Sequence, residues 1–170
     1  MNLPENQSRV QIRLATADEA ASIAFVLYQS FIEYEPLYMP KAFAATTPSA
    51  DQIQKRWSEG PVWVAVQPDG LVGTVAAAPK GEALYVRSMA ILPTARGQRI
   101  GRLLLRQVEH FAREWRYPRL FLSTTPFLTR AIRLYEQFGF QRSSDGPHEL
   151  FGTPLFTMVK LLRPGSQPPN

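Results

Sequence analysis

Arg96-Gly97-Gln98-Arg99-Ile100-Gly101-Arg102 sets two further arginines and two glycines within six residues of Arg96. An apolar stretch, Leu84 to Leu92, precedes it and stops at Pro93; a helical pattern starts directly after it. A strand that turns sharply into a helix aims several unpaired backbone N–H groups at one point, and the helix N-terminus adds partial positive charge there. Glycines let the backbone approach a bound group closely, and arginines bring full charge and forked donors. The chemistry of such a turn is capture of a phosphate. A phosphorylated cofactor is therefore expected on Arg96, Gly97, Gln98, Arg99, Ile100, Gly101 and Arg102.

The elements that must position this turn can be read from periodicity. Val10 to Leu14 alternates as a strand, and Thr16 with Glu19 forms a capping box for a helix running to Phe31. The aromatic and acidic segment 31–38 is punctuated by Pro36 and Pro40 and reads as a loop or broken helix. Asp51 to Glu59 predicts a short helix with Ile53 and Trp57 on one face, ended by Gly60-Pro61. Strands are expected over 62–66, 71–77 and 83–92, joined by turns at Gln67–Gly70 and Pro79–Gly81, as an antiparallel meander. Ile100, Leu104, Val108, Phe111 and Trp115 form an apolar stripe on a helix from about Gln98 to Trp115. Leu120 to Leu122 is a short central strand, and Ala131 to Phe138 a helix capped by Gly139. Phe140 and Leu155 to Leu162 suggest closing strands. The fold class is α/β (α+β): a single domain over 10–162, a mixed central sheet of about seven strands with helices on both faces, and loose tails at 1–9 and 163–170.

Bulk composition narrows the function. The 170 residues are 45% hydrophobic, as in a globular domain. With no cysteine there is no disulfide, thiolate metal site or cysteine acyl-enzyme, and two histidines, His110 and His148, argue against a His-based metal site. No apolar stretch is long enough for a membrane span and the N-terminus lacks a signal core, so a cytoplasmic protein is expected. From Arg87 to Arg133 ten arginines face two glutamates, a net +8 on a chain of net +5. Such a patch attracts polyanions: a phosphate-rich cofactor or a nucleic acid.

The order of elements and their motifs resemble the GNAT superfamily of acetyl-CoA-dependent N-acetyltransferases over roughly Val10 to Leu162. The family pattern [Gln/Arg]-x-x-Gly-x-[Gly/Ala] is matched by Arg96 and Gly101, with Arg99 in place of the middle glycine. Ile91-Leu92-Pro93-x-x-Arg96-Gly97 is similar to the family's strand exit, and Ala131-Ile132-Arg133-Leu134-Tyr135-Glu136-x-x-Gly139-Phe140 to its last helix and following strand. Leu128 stands where many members carry an asparagine.

The resemblance implies acetyl-CoA as co-substrate, with no metal, its pyrophosphate on the turn and its pantetheine arm against the backbone of Met89, Ala90 and Ile91. Ile91 N–H is then a donor to the developing oxyanion. Tyr135 aligns with the usual general acid, which protonates the coenzyme A sulfur and touches the cofactor. Glu33 and Glu35 lie in the segment that helps form the acceptor site, where either would attract a cationic amine or deprotonate it through water. Phe31, Tyr34, Tyr38 and Phe43 suggest an aromatic-walled site or core, and His148 either lines that site or lies on the surface. His110 reads as structural. The function implied is acetyl transfer by direct attack of a small-molecule or peptide amine in a ternary complex, without membrane association; homodimers are common in the family. Two rivals stand beside it. One is a non-catalytic acyl-CoA sensor of the same fold. The other, weaker because the helix stripe must face a core, is a nucleic-acid-binding module using the Arg-rich helix.

Overall fold

A computed structural model describes residues 10–163; of the tails expected at 1–9 and 163–170, all but residue 163 lie outside the described residues. The chain runs β1 (Gln11–Leu14), α1 (Ala20–Phe31), α2 (Pro40–Thr46), α3 (Ala50–Lys55), β2 (Val62–Gln67), β3 (Gly70–Lys80), β4 (Ala83–Ile91), α4 (Ile100–Glu114), β5 (Arg119–Thr124), α5 (Thr129–Phe138), β6 (Gln141–Arg142), β7 (His148–Leu150) and β8 (Thr153–Leu161). One sheet of eight strands takes the order β1-β2-β3-β4-β5-β8-β6, with β7 paired to β8. It is antiparallel except where α4 crosses over and returns β5 parallel to β4.

Strand alternation sends successive side chains to opposite faces, and both faces are covered. Val62, Val64 and Val66 of β2 pack in one cluster with Ile23, Val26 and Leu27 of α1 and Ile53 of α3. Trp63 and Ala65, the intervening residues, pack in the other with Leu104, Leu105 and Val108 of α4 and Phe138 of α5. Each fully buried leucine or valine of α4 contributes roughly 1.5–3 kcal/mol.

The structure departs from the sequence reading in several places, each with a local cause. The sheet has eight strands rather than seven because His148–Leu150 folds back on β8 as a hairpin. The segment around Pro36 is a 3-10 turn (Ile32–Leu37) followed by α2, which starts with Pro40 at its first position, where a fixed φ and a missing N–H are tolerated. The helix expected over 51–59 ends at Lys55 and is followed by a 3-10 turn at Trp57–Glu59; its cap is Ser49, whose Oγ accepts from Gln52 N–H at 3.2 Å. Pro79 lies inside β3 instead of the turn, at a level where β2 has already ended, so no ladder bond needs its N–H. Trp115 leaves the apolar stripe: it falls past the end of α4 and is 66% exposed, while Leu105 and Ala112 fill the buried face. His110 lies on the exposed side of the same helix.

Candidate active site

The site begins where β4 and β5 part. They pair only over Ala83–Tyr85 and Arg119–Phe121, so the far half of β4 has no partner on that side. A bulge lies in this half: between the pairs Arg87–Ala76 and Ala90–Thr74, two residues of β4, Ser88 and Met89, face one of β3, Val75, and Ser88 adopts φ 52°. Leu92 N–H bonds Val72 O at 2.8 Å, so by antiparallel alternation the opposed pair Ile91 and Gly73 is non-bonded and the Ile91 backbone faces away from β3. The Ser30 hydroxyl of α1 stands 2.9 Å from Ile91 O and 2.6 Å from Val26 O, sharing one proton between them. Ile91 N–H therefore points into the gap between the strands.

At the exit of β4 the turn is built as its composition requires. Gly97 takes φ 82° and Arg99 φ 60°, ψ 22°, a left-handed conformation in a residue that carries a side chain. Arg99 is the N-cap of α4, and the first helical bond is Leu103 N–H to Arg99 O at 3.2 Å. The N–H groups of Ile100, Gly101 and Arg102 have no acceptor within the helix. Gly101 faces α5 so closely that an added Cβ would lie 2.6 Å from Leu134 Cδ2.

These features line one cleft of about 250 Å³, open to solvent. Of the residues singled out for cofactor binding, Met89, Ala90, Ile91, Arg96, Gly97, Arg99, Ile100, Gly101, Arg102 and Tyr135 all line it. Gln98 does not; its side chain bonds Gln67 at 2.7 Å. Arg130 of α5 joins the cleft as a fourth guanidinium, and Leu128 is present in the wall as an apolar contact. Unpaired helix N–H groups, four arginines and a free strand edge suit an extended ligand with a phosphate-rich head and an amide-bearing arm.

A second cavity, about 580 Å³, opens on the other side of the gap. Phe31, Met89, Leu128 and Tyr135 line both, so these four side chains are the common wall. Tyr135 is 8% exposed; burial, with the Tyr38 and Tyr85 hydroxyls nearby, pushes its phenol far up, so it remains protonated. Tyr38 and Tyr85 are raised by burial in the same way. Tyr85 stacks on Phe121 at 4.9 Å, and Tyr38 meets Phe127 edge-on at 4.9 Å. The far end is charged: Arg56, Lys80 and Arg87 line it with Glu59, and Arg87 bonds the Glu59 carboxylate. That guanidinium holds the Glu59 carboxyl below the usual carboxylate range, with Arg56 and Lys80 acting in the same direction.

Neither glutamate singled out from the sequence lines the second cavity. Glu33 pairs with Arg96 at the rim of the cleft, and Glu35 is exposed. Tyr34 lines the cleft, Phe31 and Tyr38 line the second cavity, and Phe43 packs on Tyr28 and Tyr38 at 6.1 Å. His148 is exposed in β7; Leu150 of that strand reaches the cavity instead. Sequence reasoning missed Glu59, Arg56, Lys80 and Arg130. The alternation of Tyr85 and Arg87 on β4 was a signal for that wall, whereas Glu59 arrives through a contact 28 residues away in sequence. Among the described residues there is no metal-binding cluster, and no helix is long and apolar enough to cross a membrane.

Comparison with known proteins agrees with this geometry. Residues 27–140 match the family model for the acetyltransferase (GNAT) family. The Escherichia coli (strain K12) protein named uncharacterized N-acetyltransferase YjgM is 33% identical over 147 residues, covering 83% of this chain and 87% of the relative. The crystal structure of PaiA N-acetyltransferase from Thermoplasma acidophilum in complex with coenzyme A superposes with a TM-score of 0.76 at 15% identity, over 91% of this chain and 99% of that one. A GNAT family acetyltransferase from Elizabethkingia anophelis with acetyl-CoA bound superposes with a TM-score of 0.67 at 19% identity, over 92% and 100% of the two chains. With its turn, its parted strands and a family match across two thirds of its length, the chain belongs to the GNAT family of acetyltransferases.

Proposed function

We propose that the protein moves the acetyl group of acetyl-CoA to an amine by direct attack in a ternary complex, with coenzyme A lying in the cleft and the amine in the second cavity. The observation that carries this reading is Tyr135, which stands in the wall common to both cavities. The bond formed joins the amine nitrogen to the acetyl carbon, the bond broken is carbon to sulfur, and the departing thiolate needs a proton. Tyr135 supplies it: burial keeps the phenol protonated, so it stands as hydrogen-bond and proton donor to the departing sulfur, and the proton shed by the attacking nitrogen restores it. Ile91 N–H offers a fixed donor to the thioester oxygen as charge develops there. Ile100, Gly101 and Arg102 N–H groups with Arg96, Arg99 and Arg102 side chains hold the pyrophosphate.

Deprotonation of the amine needs no strong side-chain base. Glu59 is too acidic to hold an ammonium proton well, but Arg56, Lys80 and Arg87 surround it. Like charges disfavour an ammonium and lower its pKa, so the neutral nucleophile is populated in that cavity and its proton leaves to water.

Calorimetric titration with acetyl-CoA, beside turnover of an amine panel, tests the reading. Saturable binding is expected, weakened by the double substitution Arg96→Ala, Arg99→Ala. Tyr135→Phe is expected to bind acetyl-CoA as the parent does and to lose about 10²-fold in kcat. No binding by the folded protein would sink the reading; binding without acetylation of any amine would favour an acyl-CoA sensor.

A further inference from the structure

The charged end of the second cavity says what else the acceptor must carry. Arg56, Lys80 and Arg87 line it against one carboxylate, Glu59, leaving a wall of net +2. A simple ammonium entering such a cavity meets net repulsion, since the one carboxylate is already held by Arg87. We infer that the acceptor bears a carboxylate on the same small molecule as its amine, entering as a zwitterion of the amino-acid type. This rests on the acetyltransferase reading above and narrows it to a substrate class.

Three features place the two ends of such a molecule. Tyr85 and Arg87 are alternate residues of β4 and so lie on one face of the strand, roughly 7 Å apart. Tyr85 neighbours Tyr135, beside which transfer would take place, and Arg87 and Arg56 in turn neighbour Tyr85. The amine is thus directed to Tyr135 and the carboxylate to Arg56 and Arg87, whose forked donors match a carboxylate edge. Between them, Phe31 and Leu155 furnish apolar surface, and about 580 Å³ leaves room for a sizeable side chain. The carboxylate also resolves the conflict between attraction and deprotonation. It offsets one of the two net charges of the cationic wall on entry, and the charge that remains still disfavours the ammonium form of the amine.

The test is a set of matched acceptors: free amino acids with large apolar side chains, their C-terminal amides and the corresponding decarboxylated amines, each with acetyl-CoA and the full-length chain. The free acids are expected to have kcat/KM higher by on the order of tenfold to a hundredfold, the usual reach of a hydrogen bond to a charged group. Arg56→Gln and, separately, Arg87→Gln should lower that acid-to-amide ratio while the dissociation constant for acetyl-CoA, read by calorimetry, holds. Amides or decarboxylated amines acetylated as well as the acids would overturn the inference and leave the acetyltransferase reading standing. A peptide amide preferred over every free acid would point instead to a protein N-terminus and would equally overturn it. Acetyl-CoA binding with no acceptor acetylated would overturn both.

Discussion

Arg99 illustrates how far single residues could be read. Its place in the turn was legible because glycines, arginines and a following helical stripe are local signals. Its left-handed φ of 60° follows from occupying the position a glycine would take. Tyr135 was likewise placed by its neighbours in the chain. Glu59 was not, since its role depends on Arg87 and on a cavity formed by distant segments. Charge at another residue has a measurable consequence for stability. The Arg13 guanidinium forks onto Glu19 through bonds of 2.8 Å each, and this contact first, with Thr16 N–H adding, lowers the Glu19 carboxyl from 4.5 to about 2. A depressed carboxylate stabilises the fold fully above its unfolded pKa and loses that contribution as pH falls through the folded one. Glu19→Gln should therefore be less stable than the parent at neutral pH, with the gap in denaturant midpoint closing between pH 4.5 and 2. A gap that stays constant over that window would contradict the assignment.

Elements were legible wherever one period ruled a whole segment. The stripe from Ile100 to Val108 and the alternation of Val62, Val64 and Val66 each name their buried face. Where prolines crowd the chain the reading failed: α2 is too short for a stripe, and Pro40 serves as a start signal there rather than a break. β7 was obscured for another reason, since a three-residue strand carries too few side chains to show alternation. One joint between elements is unusually tight. At Gly60, before β2, an added Cβ would lie 2.0 Å from the Ala77 carbonyl oxygen of β3, beside the 3.0 Å bond from Ala77 N–H to Pro61 O. Gly60→Ala must push backbone from backbone and should cost about 2 kcal/mol, roughly 4–8 °C in Tm for a domain of this size. A shift within about 1 °C would show that the strand simply slides aside.

At the scale of the whole molecule, the mixed sheet with helices on both faces was legible because local motifs of helix, strand and turn agree along the chain. The separation of β4 from β5 was not, because no residue type marks the point where a parallel pair stops pairing. Yet that separation decides how traffic through the protein is organised. Each cavity has its own mouth, and only Phe31, Met89, Leu128 and Tyr135 stand between them. With the substrates placed as proposed, neither needs to pass through the other's chamber, so geometry imposes no obligatory order of arrival. A fresh acceptor can also settle while spent coenzyme A is still in place, and that idle complex must wait for the thiol to depart. Initial-rate lines at several fixed acetyl-CoA concentrations are thus expected to intersect, and excess acceptor to slow the enzyme rather than saturate it. Parallel lines would mean that the acetyl group changes hands through the protein itself, a route for which this chain has no cysteine to offer.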